Sequence, residues 1–249
     1  MKYIDAFFMA LSMFCAVPCP YRPWRKESRK LMLFFFPFVG AVIGAIWALS
    51  VAMCRYFNVP SPVLGAVIAA MPYLLTGFFH LDGFMDTNDA LLSRRDLDER
   101  LRILKDSRVG AFAVIAVGLL LMFAYASGYT IAQKDTNPLI LFFIPIASRF
   151  FAAIAVLNMK PLEHSQYSSE SEAPSHWSIT VFLAQAVVVV PLIWLLTGPD
   201  GIIVAAAAGG FYVVALLHAV KDLGGISGDL SGYALTLGEL GALIVCALL

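Results

Sequence analysis

Long apolar runs recur along this chain, and they constrain its fold more than any other feature. A helix needs about 20 apolar residues to cross the roughly 30 Å hydrocarbon core of a bilayer. Hydrophobic residues make up 60% of the chain and charged residues only 14%, whereas a soluble domain is about one quarter charged. The sequence therefore predicts one integral membrane domain over residues 1–249, an all-α polytopic helix bundle of about seven spans. The predicted spans are 31–57, 62–79, 109–132, 138–157, 179–197, 201–220 and 233–249.

The first twenty residues are apolar but differ from these spans. They are short, Pro18 and Pro20 interrupt them, and they lack a convincing signal-peptide cleavage site. We expect a re-entrant or interfacial helix here, with a true membrane span as the alternative.

The distribution of Lys and Arg predicts the topology. If the spans alternate, one side holds 21–30, 81–108, 158–178 and 221–232, which together carry thirteen Lys and Arg residues. The other side holds only Arg55 and Lys134. The side with more Lys and Arg is predicted to face the cytoplasm, and the C-terminus to lie outside. The predicted location is the plasma (bacterial inner) membrane. The Ser-rich loop 160–177 on that side is expected to act as a lid. A net charge of zero without a basic tail gives no indication of a nucleic-acid partner.

An acidic cluster follows the second predicted span. His80, Asp82, Asp86 and Asp89 lie within ten residues, and offsets of four and three place the aspartates on one face of a helix. Such carboxylates repel one another unless a cation sits among them, and Mg²⁺ prefers oxygen ligands of this kind. The alternative is a solvated acidic helix start, where Asp also suits the positive end of the helix dipole.

The remaining part of the 81–108 segment carries mixed charges. Most of them are interpreted as the solvated face of a cytoplasmic helix. Asp106 and Arg108 are the exception, because they stand where the chain re-enters the membrane, ahead of Gly110. Asp106 is suited to a metal ion and Arg108 to a phosphate.

A glycine-rich loop between the last two predicted spans lies on the same side. Its glycines allow backbone amides to approach a phosphate, and Asp229 adds a hard ligand; the four glycines are Gly224, Gly225, Gly228 and Gly232. Glu239 falls inside the last span, where a carboxylate is functional by default. Arg149, inside the fourth span, is predicted to pair with Glu239 or to hold phosphate.

Two segments together resemble a known family. HLDGFMDTNDALLSRRDLDERLRILKDSRVGAF resembles the signature of the cobalamin synthase family, the adenosylcobinamide-GDP ribazoletransferases, and LGGISGDLSGYALTLGEL resembles that family's C-terminal segment. Ser148-Arg149 and the Phe36–Gly40 opening of the first span also fit. The resemblance covers most of the chain and includes all the motif aspartates.

The resemblance implies an activity, a cofactor and residue roles. Adenosylcobinamide-GDP would be joined to α-ribazole or its 5′-phosphate, giving adenosylcobalamin or its phosphate and GMP, with Mg²⁺ as cofactor. Asp82, Asp86, Asp89 and Asp106 would hold metal and diphosphate, Arg108 and Arg149 phosphate charge, and the 224–232 loop a nucleotide phosphate. His80 would orient an aspartate or take the proton of the ribazole hydroxyl, with a structural role equally open. Whether the protein forms a homo-oligomer is also open.

Two other functions fit part of the sequence. A CDP-alcohol phosphotransferase would use similar chemistry, but its motif needs an Ala-Arg pair soon after Asp-Gly, and Phe84-Met85-Asp86 breaks it. A divalent-cation transporter would also place carboxylates in the membrane. It should bury them in the middle of several spans, whereas here only Glu239 is predicted to lie deep.

Overall fold

The computed structural model describes residues 1–134, 136–162 and 176–249. Most of the loop expected to act as a lid lies outside these residues. Within them the chain is helical, and the sole β-type pairing is an isolated bridge between Pro161 and Ile226. The prediction of an all-α protein is confirmed.

Ten α-helices follow one another along the described chain. They are α1 (Lys2–Phe14), α2 (Arg29–Met32), α3 (Phe36–Tyr56), α4 (Ser61–Leu75), α5 (Phe79–Leu92), α6 (Leu97–Ile103), α7 (Ala111–Gln133), α8 (Pro138–Asn158), α9 (His176–Leu223) and α10 (Gly228–Leu248). Short 3₁₀ turns at Lys26–Ser28 and Leu33–Phe35 flank α2.

Helix α10 is the centre of the bundle. Most of its 21 residues are buried, and it packs against α5, α7, α8 and α9. The outer pairs approach closely through small residues, as membrane helices commonly do. A Cβ on Gly44 of α3, for example, would meet the backbone of Phe142 in α8.

Among the described residues, five helices are long and apolar enough to cross a membrane, and the bent pair α4–α5 makes six if it counts as one span. One of the five is the 45-residue stretch Ile179–Leu223 in α9, which at 1.5 Å per residue is about twice as long as one crossing requires. Non-helical backbone at Gly198 (φ 66°, ψ −157°) divides it. Counted as two crossings, α9 brings the total to the predicted seven.

The contacts of α9 support two crossings. Leu196, just before the break, accepts a hydrogen bond from Asn137 (3.1 Å) at the start of α8. Asp222, near the end of α9, pairs with Arg100 (3.0 Å) in α6. Because the chain after α8 pairs with Ile226, these two contacts lie at opposite ends of the bundle.

The predicted end of the second span differs from the structure. The second span was expected to run through residue 79, but α4 ends at Leu75 and α5 leaves it at 89°. Gly77 (φ 59°) and Phe78 (φ 63°) adopt left-handed conformations at this bend. The apolar pattern continues through Phe79, so hydropathy alone does not reveal the turn.

Helix α1 lies against the basic segment that follows it. Its Asp5 is 1% exposed, accepts a hydrogen bond from the Tyr21 hydroxyl (2.6 Å) and pairs with Arg25 (3.0 Å). The helix has 13 residues, roughly 20 Å, and so is shorter than the bilayer core. Its re-entrant or interfacial placement stays a prediction.

Candidate active site

Four of the predicted site residues line one cavity at the α5 end of the bundle. Its volume is about 310 Å³, and its walls include Asp82, Asp86, Asp89 and Asp106. Asp82 is exposed, Asp86 is half-buried and Asp89 is buried. The predicted convergence of the acidic helix and the 106–108 loop is therefore present in the structure.

The crossing of α5 and α10 brings a further carboxylate to this group. A Cβ on Gly83 would stand 2.8 Å from the backbone of Asp229, so only glycine permits the observed approach. Gly232 faces the backbone of His80 in the same way, at 3.3 Å. As a result, Asp229 at the start of α10 interacts electrostatically with Asp82 and Asp86.

Asp89 differs from its neighbours on α5 because both of its carboxylate oxygens have partners. Oδ2 accepts a hydrogen bond from the backbone N–H of Gly110 (2.7 Å), and Oδ1 accepts one from that of Ala113 (2.9 Å). These amides belong to the start of α7, which has no side-chain cap of its own.

Asp106 and Arg108 form an exposed pair at the rim of the cavity. The Arg108 guanidinium donates to both carboxylate oxygens, at 2.7 Å to Oδ2 from Nη2. Hydrogen bonds from the Arg108 side chain, and then from its backbone N–H, lower the pKa of Asp106 to about 2. Asp106 therefore stays ionised at any physiological pH.

The carboxylates fit a magnesium ion that is shared with a substrate. Within the described part of the chain, no three His, Cys, Asp or Glu side chains form a preformed metal site. However, none of the ion pairs among described residues involves Asp82, Asp86 or Asp229. Mg²⁺ usually takes one or two carboxylates and completes its shell with water and substrate phosphates. The three unpaired carboxylates suit that mode of binding.

The glycine-rich loop has mainly structural contacts in the described residues. Gly224 has a left-handed backbone (φ 90°) in open space, whereas a Cβ on Gly225 would meet the backbone of 160–162. That segment and Ile226 exchange two backbone hydrogen bonds of 2.9 Å. Gly228 begins α10, where the Ser227 hydroxyl accepts a hydrogen bond from the N–H of Leu230. A phosphate-binding role for this loop stays a prediction.

Arg149 and Glu239 form the predicted pair deep in the bundle. Arg149 is 0% exposed, and its Nη1 lies 2.5 Å from Glu239 Oε1. Ser148 also donates to Glu239 (3.1 Å). Neither Arg149 nor Glu239 lines the aspartate cavity, and the phosphate role of Arg149 stays a prediction.

His80 is buried among aromatic rings beside the same pair. Its ring centroid lies 6.2 Å from that of Phe14, 6.1 Å from Phe36 and 5.5 Å from Phe79. It does not line the aspartate cavity. These surroundings are those of a packed histidine, and its catalytic role is an untested prediction.

The sequence interpretation missed Lys105. It was assigned to the solvated face of the charged helix, yet it lines the cavity beside Asp106 and Ser107. The available signal was that Lys105 directly precedes Asp106 in the sequence. Helix α6 ends at Ile103, so both residues lie in the segment that follows it.

Comparison with known families agrees with the motifs. The family model described as cobalamin-5-phosphate synthase matches residues 6–247. The chain belongs to this family. The match includes every element that lines the cavity.

Curated relatives cover almost the whole chain. A protein from Clostridium perfringens, named adenosylcobinamide-GDP ribazoletransferase, is 40% identical over 99% of both chains. A protein of the same name from Clostridium botulinum is 35% identical over 93% of this chain and 92% of its own. Another, from Geobacillus kaustophilus, is 31% identical over 94% of this chain and 92% of its own. No solved structure matches. The resemblance seen in the two sequence motifs is thus confirmed at the level of the family.

Proposed function

We propose that this chain joins adenosylcobinamide-GDP to α-ribazole or its 5′-phosphate, forming adenosylcobalamin or its phosphate and releasing GMP. Membership of the cobalamin-5-phosphate synthase family and the shared name of its relatives support this activity. The observation that carries the proposal is the presence of Asp82 and Asp86 at one cavity, with Asp229 close enough to interact with both. Unpaired carboxylates and a substrate phosphate are both negatively charged. They can therefore lie together only when a cation binds between them.

The proposed cofactor is Mg²⁺, held by Asp82, Asp86 and Asp229. When bound, it would neutralise the charge of the diphosphate and help the GMP group to leave. Asp106 and Asp89 line the same cavity, but their oxygens have Arg108 and α7 as partners. Their contribution to metal binding is therefore smaller in this proposal than in the sequence-based prediction.

The residues of the chain would bind and orient the two substrates. The ribazole hydroxyl oxygen forms a bond to the phosphorus linked to cobinamide, and the bond from that phosphorus to the GMP oxygen breaks. Lys105 and Arg108 stand at the rim, where their charges favour the diphosphate. The hydroxyl proton passes to a carboxylate of the cavity, since His80 lies outside its walls. Positioning and charge stabilisation supply most of the rate in phosphoryl transfer.

The cavity is proposed to face the cytoplasm, with the protein in the plasma membrane. The contacts of basic residues at the two ends of the bundle support this orientation. Arg100 and Asp222 pair at the cavity end, whereas Arg55 and Lys134 bond to Thr136 and Ala247 at the other end. The excess of Lys and Arg at the cavity end is the cytoplasmic signature.

The two alternative functions are tested beside the proposed one, with a CDP-alcohol and with cation-loaded vesicles in parallel assays. Membranes that contain the protein are incubated with adenosylcobinamide-GDP, α-ribazole and Mg²⁺, and GMP and the corrin product are measured. We expect equal amounts of GMP and adenosylcobalamin, and neither in membranes without the protein. Release of CMP from a CDP-alcohol without any GMP would support the phosphotransferase alternative. Cation flux in vesicles without either product would support the transporter.

A further inference from the structure

The carboxylates of the cavity are equivalent in the sequence but not in the structure. Asp82 and Asp86 have no hydrogen-bond or ion-pair partner among the described residues, whereas Asp89 holds two backbone amides at 2.7 and 2.9 Å. Asp89 is also the most buried of the three, at 9% exposure. Its hydrogen bonds therefore lie where water competes least.

The amides bound by Asp89 are those that the start of a helix leaves without partners. Gly110 is the residue before α7 and has no side chain with which to cap it. Asp89 reaches from α5, 21 residues earlier in the chain, and supplies the missing acceptor. The negative charge also complements the positive end of the α7 dipole, so Asp89 is stabilised without a cation.

This contact fixes one end of the segment that closes the cavity. Five of the six residues from Leu104 to Val109 line it, Lys105 and Asp106 among them. At their other end, α6 is held to α9 by the pair of Arg100 and Asp222. The contact between Asp89 and α7 therefore sets how far Lys105 and Asp106 stand from Asp82 and Asp86.

We propose that Asp89 is a positioning residue, which caps α7 and thereby holds the 104–109 segment over the cavity, and not a ligand of the cation. Only the catalytic purpose of the positioned 104–109 segment rests on the proposed function. The cap on α7 does not depend on it. The cap itself is formed entirely by atoms of the chain. The sequence motif alone assigns Asp89 the same role as Asp82 and Asp86.

Gly110 provides a second way to disturb the same contact. A Cβ at this position would stand 2.5 Å from Asp89 Oδ1 and 2.7 Å from its Cγ. The Gly110→Ala substitution must displace the carboxylate or the start of α7, yet it removes no oxygen ligand. Position and ligation are thus separable by mutation.

The test is amide hydrogen exchange of the metal-free, full-length protein in detergent, followed in peptides that cover 105–116. Asp89→Ala and Gly110→Ala should speed exchange at 110–113 about fivefold, the factor that corresponds to a lost cap of about 1 kcal/mol. Asp89→Asn keeps one good hydrogen-bond acceptor, so its exchange rate at 110–113 should lie between those of the wild type and Asp89→Ala. Asp86→Asn, the matched control on the same helix, should leave this exchange unchanged.

Binding of Mn²⁺, measured by electron paramagnetic resonance without substrate, completes the test. Asp89→Ala and Gly110→Ala should keep the wild-type Kd within about twofold, while Asp86→Asn should weaken it at least tenfold. Unchanged exchange in Asp89→Ala, or a Kd weakened as much as in Asp86→Asn, would overturn the proposal. If Asp89→Ala does not fold, Gly110→Ala decides by the same criteria. A wild-type protein that neither binds Mn²⁺ nor releases GMP would contradict the proposed function, and the exchange data would still decide the role of Asp89.

Discussion

The aspartates of α5 show how much of a site a local pattern can predict. Spacing alone placed Asp82, Asp86 and Asp89 on one helical face, and the structure puts all three at one cavity. Spacing did not distinguish them, because the partners that do so are distant in sequence. The amides bound by Asp89 come from α7, and the carboxylate of Asp229 comes from α10.

The mutual repulsion of these carboxylates leads to a prediction for the metal-free protein. Asp86→Asn should slightly raise its thermal stability, because like charges four residues apart destabilise a helix by a few tenths of a kcal/mol. Differential scanning fluorimetry without Mg²⁺ measures this effect. Asp98→Asn is the control, since Asp98 is exposed on α6, and its removal should change neither stability nor turnover appreciably. A large loss of metal-free stability in Asp86→Asn would show that this carboxylate has a partner that holds the fold together.

At the scale of helices, the site depends on one crossing and one bend. The sequence predicted a helix through the acidic cluster but not its direction. Left-handed backbone at Gly77 and Phe78 turns α5 away from α4, and Gly83 lets α5 lie directly on α10. Non-local packing of this kind leaves no periodicity in a sequence.

The crossing can be tested at Gly83. In Gly83→Ala the new Cβ would stand 2.8 Å from Asp229 backbone atoms, so α5 and α10 must separate, at a cost of about 1–3 kcal/mol. We expect a lower melting temperature and weaker Mn²⁺ binding, because Asp229 moves away from Asp82. Gly118→Ala in α7 is the matched control, as no atom lies within 4 Å of its new Cβ. Equal behaviour of the two variants would show that the helices do not need this close approach.

At the scale of the whole molecule, the two ends of the helix bundle differ in their charged residues. The aspartate cavity and the basic segments 94–108 lie at one end, and the C-terminus lies at the other, beside Lys134. The sequence predicted this separation because topology follows from counting charges between spans. It did not predict that α10 would be the central helix, since α10 is no more apolar than its neighbours.

Fusion reporters test the orientation. A reporter inserted between Arg94 and Arg95, in the exposed turn before α6, should be read as cytoplasmic, and one attached after Leu249 as external. An odd number of crossings between the two positions requires opposite results. Both reporters on the same side would contradict the seven-span arrangement.

The most direct test of the central claim is the release of GMP from adenosylcobinamide-GDP by wild-type and Asp86→Asn protein across a Mg²⁺ titration, with α-ribazole present. The proposed function predicts that wild-type release requires Mg²⁺ and saturates with it. Asp86→Asn should insert normally but need at least tenfold more Mg²⁺, a loss of about 1.4 kcal/mol in binding, or fail to react. Normal release by Asp86→Asn at low Mg²⁺, or release by the wild type without any divalent cation, would contradict the assignment of the cavity as a magnesium-dependent transferase site.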